Sequence, residues 1–524
     1  METGPDELAR LEPGWARWAR DWLGPDPRRP GYLWARWIFL RLLGVWFFSA
    51  FYSLAGQIRG LVGPDGITPA GRYLGLVARA YPSLARFWYA PTLFWISPGD
   101  ATCMVIVAGG IVASLLLVAN VVPRAATFAC IVFFLSFVAS TEVFSSYQSD
   151  GMLLEAGFLC LFFAPPGVRP GLGVKSPPSR VSLFLLRWEW FRIYFESGVA
   201  KLASGDVEWR NFTAMDHYYE YGPLPTWIGW YAQHLPHWFH AATVGFTLLA
   251  ELGLVWAMFL PRRFKLALFA VVTPMQIGII LTANYAFLNY LVLSLGVLLV
   301  DDGWFGRLRL KIPERPVTRT PAWGQWASGA VFAWLFYAST VLVVFRGAGG
   351  GILALPGEFL EPFRFAPRYG LFAYMTRTRT EIEFQGSTDD GKTWTPYPFR
   401  YKPQDVYKAP GIYAPYQPRF EWNLWFASLG TWRSNEWVLE TQVLLAKGDE
   451  DVLHLFASDP FAGARPTRVR AAYFQYWFSD EATKRRTGAW WTRTYLGNYS
   501  PTVARAPDGQ LGLVSDEPAI PPTP

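Results

Sequence analysis

Nine apolar runs punctuate the chain, at residues 36–56, 101–122, 126–147, 151–164, 181–203, 242–260, 265–282, 284–300 and 325–346. Crossing a bilayer as a helix takes about 20 predominantly apolar residues. The fourth run is short, closed by Pro165 and Pro166, and loop charge argues that it crosses all the same. With nine crossings, the short loops on one side hold Arg124; Arg169, Lys175 and Arg180; Arg262, Arg263 and Lys265; and Arg307, Arg309, Lys311, Arg315 and Arg319. The short loops opposite hold only Arg210. That asymmetry follows the positive-inside rule and disappears if the fourth run does not cross.

After residue 346 the texture changes to short alternating stretches rich in Pro and Gly, with no run of spanning length. The segment EIEFQGSTDDGKTWTPYPFRY alternates on both sides of a turn at Asp389, Asp390 and Gly391, which reads as a β-hairpin. Its Ser387-x-Asp389-x-Gly391-x-x-Trp394 spacing is an Asp-box turn, a structural device in which Asp caps, Gly supplies a positive φ and Trp packs beneath. The expected architecture is a polytopic α-helical membrane bundle of about nine transmembrane helices at 36–346, followed by a separate β-rich extracytoplasmic domain at 347–506. Residues 1–35 form a cytoplasmic N-terminal segment and 507–524 a disordered tail.

Composition agrees with that architecture. The 524 residues are 52% hydrophobic and only 17% charged, with 27 Trp, too apolar for an ordinary soluble protein of this length. A net charge of +7 is accounted for by loop arginines, so no nucleic-acid partner is expected, whereas membrane lipids are. Cys103, Cys130 and Cys160 all lie in apolar runs, without the spacing of a zinc site or a disulfide framework.

The fifth run is the exception to the apolar pattern. WEWFRIYFESGVAKLA and the residue before it carry Arg187, Glu189, Arg192, Glu196 and Lys201, and charge at membrane depth marks either a paired structural network or a functional site. At 100° per residue, Glu189, Arg192 and Glu196 lie within about 60° of one another and predict an ion-pair ladder, while Arg187 and Lys201 fall on the other side. Snorkelling to opposite interfaces explains the latter two. The competing reading makes Lys201 a base or nucleophile held near low dielectric. Glu155 is the expected partner of Arg187 or Arg192, Asp150 is expected to cap the short fourth helix, and Glu251 needs a cation from another helix or a proton. His234, His237 and His240 sit in one aromatic outer loop, but their first and last members diverge by about 120° on a helix, so no metal is expected. Walker, dinucleotide, G-x-S-x-G and HExxH motifs are absent.

The stretches YQSDGMLLEAGFL, LLRWEWFRIYFESGVAKLASGDVEWRN, TEIEFQGSTDDGKTW, PFRYKPQD and PRFEWNLWFASL resemble the lipase maturation factor family over roughly residues 30–500. The resemblance implies a membrane protein that helps secreted lipases fold and assemble, with lipase-like secreted clients as partners and no cofactor. The Arg, Ala and Pro bias points to a bacterial cytoplasmic membrane with the C-terminal domain outside, or to the endoplasmic reticulum in a eukaryote. A more distant likeness joins Gly198, Lys201, Leu202, Asp206 and Trp209 to the vitamin K-dependent carboxylase type of membrane domain. That likeness implies a membrane-embedded enzyme, with Lys201 as catalytic base and a bound lipid or quinone. Transport is suggested by intramembrane charge alone.

Overall fold

The computed structural model describes residues 31–311, 322–344 and 351–514. The expected cytoplasmic segment before residue 31, the basic residues Arg315 and Arg319, and the end of the expected tail after residue 514 lie outside the described residues. Each of the nine apolar runs coincides with a helix: α1 Leu33–Ala55, α2 Asp100–Val118, α3 Pro123–Val138, α4 Gln148–Phe163 and α5 Arg180–Ala203 in the first half. After a short helix α6 Met215–Tyr221 come α7 His237–Leu248, α8 Arg262–Thr282, α9 Leu288–Gly296 and α10 Ala322–Val344. Helix α7 continues through a π turn, Leu249–Gly253, and a 3-10 stretch, Leu254–Phe259, and α9 through the 3-10 turn Val297–Leu299. Four of these elements, Leu33–Ala55, Asp100–Val118, His237–Phe259 and Arg262–Thr282, are long and apolar enough to cross a membrane, and the cores of α3, α9 and α10 are shorter apolar helices.

From α1 to α9 the bundle has two distinct ends. At one, Arg36 donates to the carbonyls of Leu172 and Gly173 at 2.9 Å and of Ser176 at 2.6 Å, Arg124 to that of Ala164 at 2.9 Å, and Asp302 caps the start of α1 through Leu33 N and Trp34 N. Here Arg36 of α1 satisfies carbonyls of the loop after α4, and Arg124 that of Ala164, which caps the end of α4. Helix α4 runs from this end to the other: Arg36 also reaches Phe163 at its close, while Asp150 in its first turn meets the C-terminal domain. The expected cap role of Asp150 is therefore corrected. It accepts two hydrogen bonds from Arg419, at 2.7 and 2.8 Å, because the carboxylate is fully buried and a guanidinium fork satisfies both oxygens.

The C-terminal domain mixes helix and sheet. Helices α11 Arg419–Ser428 and α12 Glu436–Lys447 pack on a six-stranded antiparallel sheet built from β1 Arg379–Ser387, β2 Thr395–Pro396, β3 Arg468–Phe478, β4 Trp491–Asn498, β5 Thr502–Arg505 and β6 Leu511–Val514. Strand order is β2-β1-β3-β5-β6, with β4 pairing β3 beyond β5. Strand β6 corrects the expectation of a disordered tail from residue 507, since Leu511–Val514 pairs with β5 in continuous register. All nine residues of β1 are buried, so both its faces are covered. Ile382 and Phe384 face α11, whereas Glu381 and Glu383 on the other face take Lys402 at 2.8 Å and Arg493 at 3.1 Å. Trp422, Trp425 and Trp491 are core residues. At the hairpin, Asp389 Oδ1 accepts from Ser387 Oγ and Thr393 N, both at 2.8 Å, Gly391 takes φ +90°, and the Arg470 guanidinium lies 4.2 Å from the Trp394 ring centre. The Thr393 backbone and hydroxyl, then Ser387, hold the Asp389 carboxyl down at about 2.

The expected separateness of this domain is also corrected, because one apolar core runs through both parts. Asn284, between α8 and α9, accepts from Tyr413 N at 2.6 Å and Ala414 N at 2.9 Å and donates to Gly411 O at 2.9 Å. Arg379 reaches back to the carbonyls of Glu220, Gly222 and Pro223. Glu220 accepts from Phe478 N at 3.1 Å, and burial pushes its carboxyl up to about 7 against that bond and the nearby Arg379.

Removing one partner of the buried Arg419–Asp150 pair leaves an uncompensated charge, so Arg419→Ala is expected to lower stability by about 3–5 kcal/mol, with Asp150→Leu in the same chain restoring most of it, read by thermal unfolding in detergent. The raised Glu220 carboxyl binds its proton more tightly folded than unfolded. Stability is therefore expected to fall as pH rises from the ordinary 4.5 through about 7, and Glu220→Gln to flatten the melting temperature over that window.

Candidate functional site

Helix α5 carries its ionisable residues because other elements answer them. Arg192 donates to Glu196 at 2.9 Å, to Glu155 of α4 at 2.7 Å, and to the carbonyl of Pro367. Glu155 accepts in turn from Tyr369 Oη at 2.7 Å, and Glu196 from Tyr369 N at 2.8 Å. One turn on, Ser197 accepts from Leu371 N at 3.3 Å, and Lys201 donates to Leu371 O at 3.0 Å. Beyond the helix, Trp209 donates to Phe372 O at 2.9 Å and Asp206 accepts from Met375 N at 2.6 Å.

The polar face of α5 thus reads the backbone of one segment, residues 367–375, which leads from the bundle into β1. We term it the strap. It has no regular secondary structure of its own, so its buried amides and carbonyls need outside partners, and α5 supplies them at helical intervals. Sequence reasoning missed Tyr369 and the strap. Their only signal, RYGLFAYM between a membrane run and a strand, looks like any loop.

Lys201 is buried, with 2% of its surface exposed, and its ammonium donates to both Glu251 oxygens at 2.9 Å. The snorkelling expectation is corrected for both residues assigned to it. Lys201 turns inward to Glu251, and Arg187 donates to Leu298 O at 2.9 and 2.6 Å, capping the 3-10 turn after α9 while lying over Tyr32. Burial makes an internal acceptor the better solution in each case. Glu251 comes within reach because the π turn carries it toward α5 at Gly198, where a Cβ would stand 2.9 Å from that of Glu251. The ladder expectation is corrected at one rung: both Glu189 oxygens are buried without a hydrogen-bond partner among the described residues, since the Arg192 guanidinium is turned to Glu155, Glu196 and the strap.

Beside the Lys201–Glu251 pair lies a cavity of about 290 Å³, walled mostly by apolar side chains of α5, α6, α7 and α8. Its polar edge continues through Gln276, which donates to Tyr194 Oη at 2.9 Å and accepts from Asn289 at 2.7 Å. Such a space takes an apolar ligand with a single polar end. Lys201 Nζ is within hydrogen-bond distance of both Glu251 oxygens and the Leu371 carbonyl, so its contacts are taken up within the protein. In the first turn of α7, His237 and His240 share Asp216 of α6 at 2.9 and 2.8 Å, and before it His234 bonds Trp230 O.

Residues 34–307 match the Lipase maturation factor transmembrane domain, and residues 365–501 the Lipase maturation factor C-terminal domain. Among curated relatives, Lipase maturation factor 1 of Bos taurus is 32% identical over 93% of this chain and 92% of its own length. Lipase maturation factor 2 of Gallus gallus is 31% identical over 92% of this chain and 82% of its own. No solved structure matches.

Loss of one partner of the Lys201–Glu251 pair is expected to cost about 3–5 kcal/mol in Lys201→Met, and the double change K201M/E251L to recover most of it, as measured by thermal melts of the purified protein.

Proposed function

This chain belongs to the lipase maturation factor family, and from that premise we propose that it assists the folding or assembly of secreted, lipase-like client proteins on the outer face of a membrane. The observation that carries the reading is the match of both parts to the family, joined here by a strap that locks the C-terminal domain to the bundle. Nine crossings would put that domain on the side opposite the basic loops, and in a bacterium that side is the exterior of the cytoplasmic membrane. A fixed domain at the outer surface meets clients as they emerge, without any reaction at α5.

The cavity beside Lys201 supports a second reading, a membrane-embedded enzyme acting through Lys201 on a bound lipid or quinone. The saturated ammonium speaks against it, and we assign the cavity at most a resident lipid chain.

Deletion of the gene is expected to lower active secreted lipase without lowering its synthesis, measured as activity per antigen in the medium. Wild-type protein and the folded K201M/E251L variant should both restore it. Restoration by wild type alone would transfer the function to Lys201 chemistry, and unchanged lipase activity on deletion would remove the client reading.

A further inference from the structure

Two stretches form an apolar flank on the side of the bundle that meets the C-terminal domain. The first joins α1 to α2 and holds the helices Ala70–Ala80 and Ala85–Tyr89 and the 3-10 turn Leu93–Trp95. The second follows α10, with the 3-10 turn Gly351–Leu353, the helix Leu355–Glu358 and the 3-10 turn Glu361–Phe363. Trp88 of the first packs on Phe359 and Phe363 of the second, with ring centres 4.0 and 4.6 Å apart. Both stretches leave large apolar side chains uncovered by the protein: Leu84 is 80% exposed, Ile96 83% and Ile352 81%, and Leu76, Leu355 and Phe359 are exposed as well.

Depth decides what covers this flank. Thr92 donates to Ser136 O at 2.7 Å and Leu93 N to Ser136 Oγ at 3.2 Å, which pins the first stretch beside the last turn of α3. Helix α10 runs in the same direction as α5, since Phe336 packs on Phe184 and Ser339 accepts from Trp188. From α10, Tyr337 donates to Leu353 O at 3.3 Å and Trp334 to Pro356 O at 3.1 Å. Those donors stand seven and ten residues before Val344, where α10 ends, and at 1.5 Å per residue that is about 10 and 15 Å back along the helix. Phe365 stacks on Phe158, ten residues in from the start of α4, with ring centres 3.9 Å apart. The second stretch therefore lies back alongside the bundle, well inside the level of the helix ends. Its backbone closes on itself, as a chain against hydrocarbon must: the amides of Ala354, Glu358, Phe359 and Phe363 donate to the carbonyls of Gly351, Ala354, Leu355 and Leu360. The charged residues Glu358, Glu361, Arg364 and Arg368 are exposed, and Arg364 lies beside Gly151 in the first turn of α4, level with the helix ends. Apolar groups at membrane depth with charge at the rim match a segment lying in the membrane interface. We infer that the two stretches form a collar set into the leaflet on the C-terminal domain's side, its apolar side chains covered by phospholipid acyl chains and not by a client protein. The collar does not rest on the client reading, and either can fail while the other stands.

The test places a bimane label on the full-length protein in nanodiscs whose phosphatidylcholine is brominated partway along its acyl chains. Cys103, Cys130 and Cys160 are buried, so an introduced surface cysteine takes the label selectively. Fluorescence of labelled L84C and I352C is expected to fall when unbrominated lipid is replaced by brominated lipid, and to resist iodide added to the water. L513C is the control: Leu513 is exposed on β6, and its label should ignore the brominated lipid and be quenched by iodide. Should L84C or I352C fail to fold, I96C and L355C report on the same two stretches. Loss of fluorescence to brominated lipid in both stretches, with none at position 513, supports the collar. Quenching by iodide but not by lipid in either stretch would overturn it and leave that surface open to a client.

Discussion

Everything in this protein turns on how the charges of α5 are neutralised. A helix with Glu189, Arg192, Glu196 and Lys201 within 13 consecutive positions is too polar for lipid and too apolar for water. Arg192, Glu196 and Lys201 become tolerable only when the bundle closes around them and an irregular segment supplies matching donors and acceptors, while Glu189 is left without a hydrogen-bond partner among the described residues. The strap at 367–375 has the complementary problem, buried backbone without a ladder. Each element is a poor structure alone, and together they satisfy one another.

That mutual dependence fixes where the C-terminal domain sits. Because Tyr369, Leu371 and Met375 are held to α5 and the turn after it, β1 starts within a few residues of the bundle, and Arg379, Asn284 and Arg419 complete the junction. Buried ion pairs contribute little net stability over apolar replacements. Their value here lies in register, since a slip of one residue in the strap would leave several charges and amides unanswered together.

The two ends of the bundle do different work with the same residue type. At the capped end, arginines such as Arg419 and Arg379 are desolvated and bind specific oxygens of distant segments. At the basic end, Arg36 and Arg124 bind carbonyls at the close of α4 and in the loop that follows it.

Hydrophobic run length located a helix at each apolar run, because an apolar stretch is a local property of the chain, but among the described residues only four of those helices are long and apolar enough to cross a membrane, and the one expected over 126–147 ends at Val138. Alternation and the Ser387–Trp394 turn likewise gave the β1 hairpin, since turn chemistry acts over a few residues. The partner of Glu251 was legible only as a need for a cation or a proton, and that of Glu155 only as a choice between two. What the fold alone decided was which charges meet: that Lys201 turns inward to Glu251, that Arg419 answers Asp150 across 269 positions, and that Glu189 is left out of the ladder. Periodicity orders side chains around one helix but carries no information on which distant segment will face it, and the strap, held by its backbone apart from the Tyr369 hydroxyl, leaves little trace in its side chains.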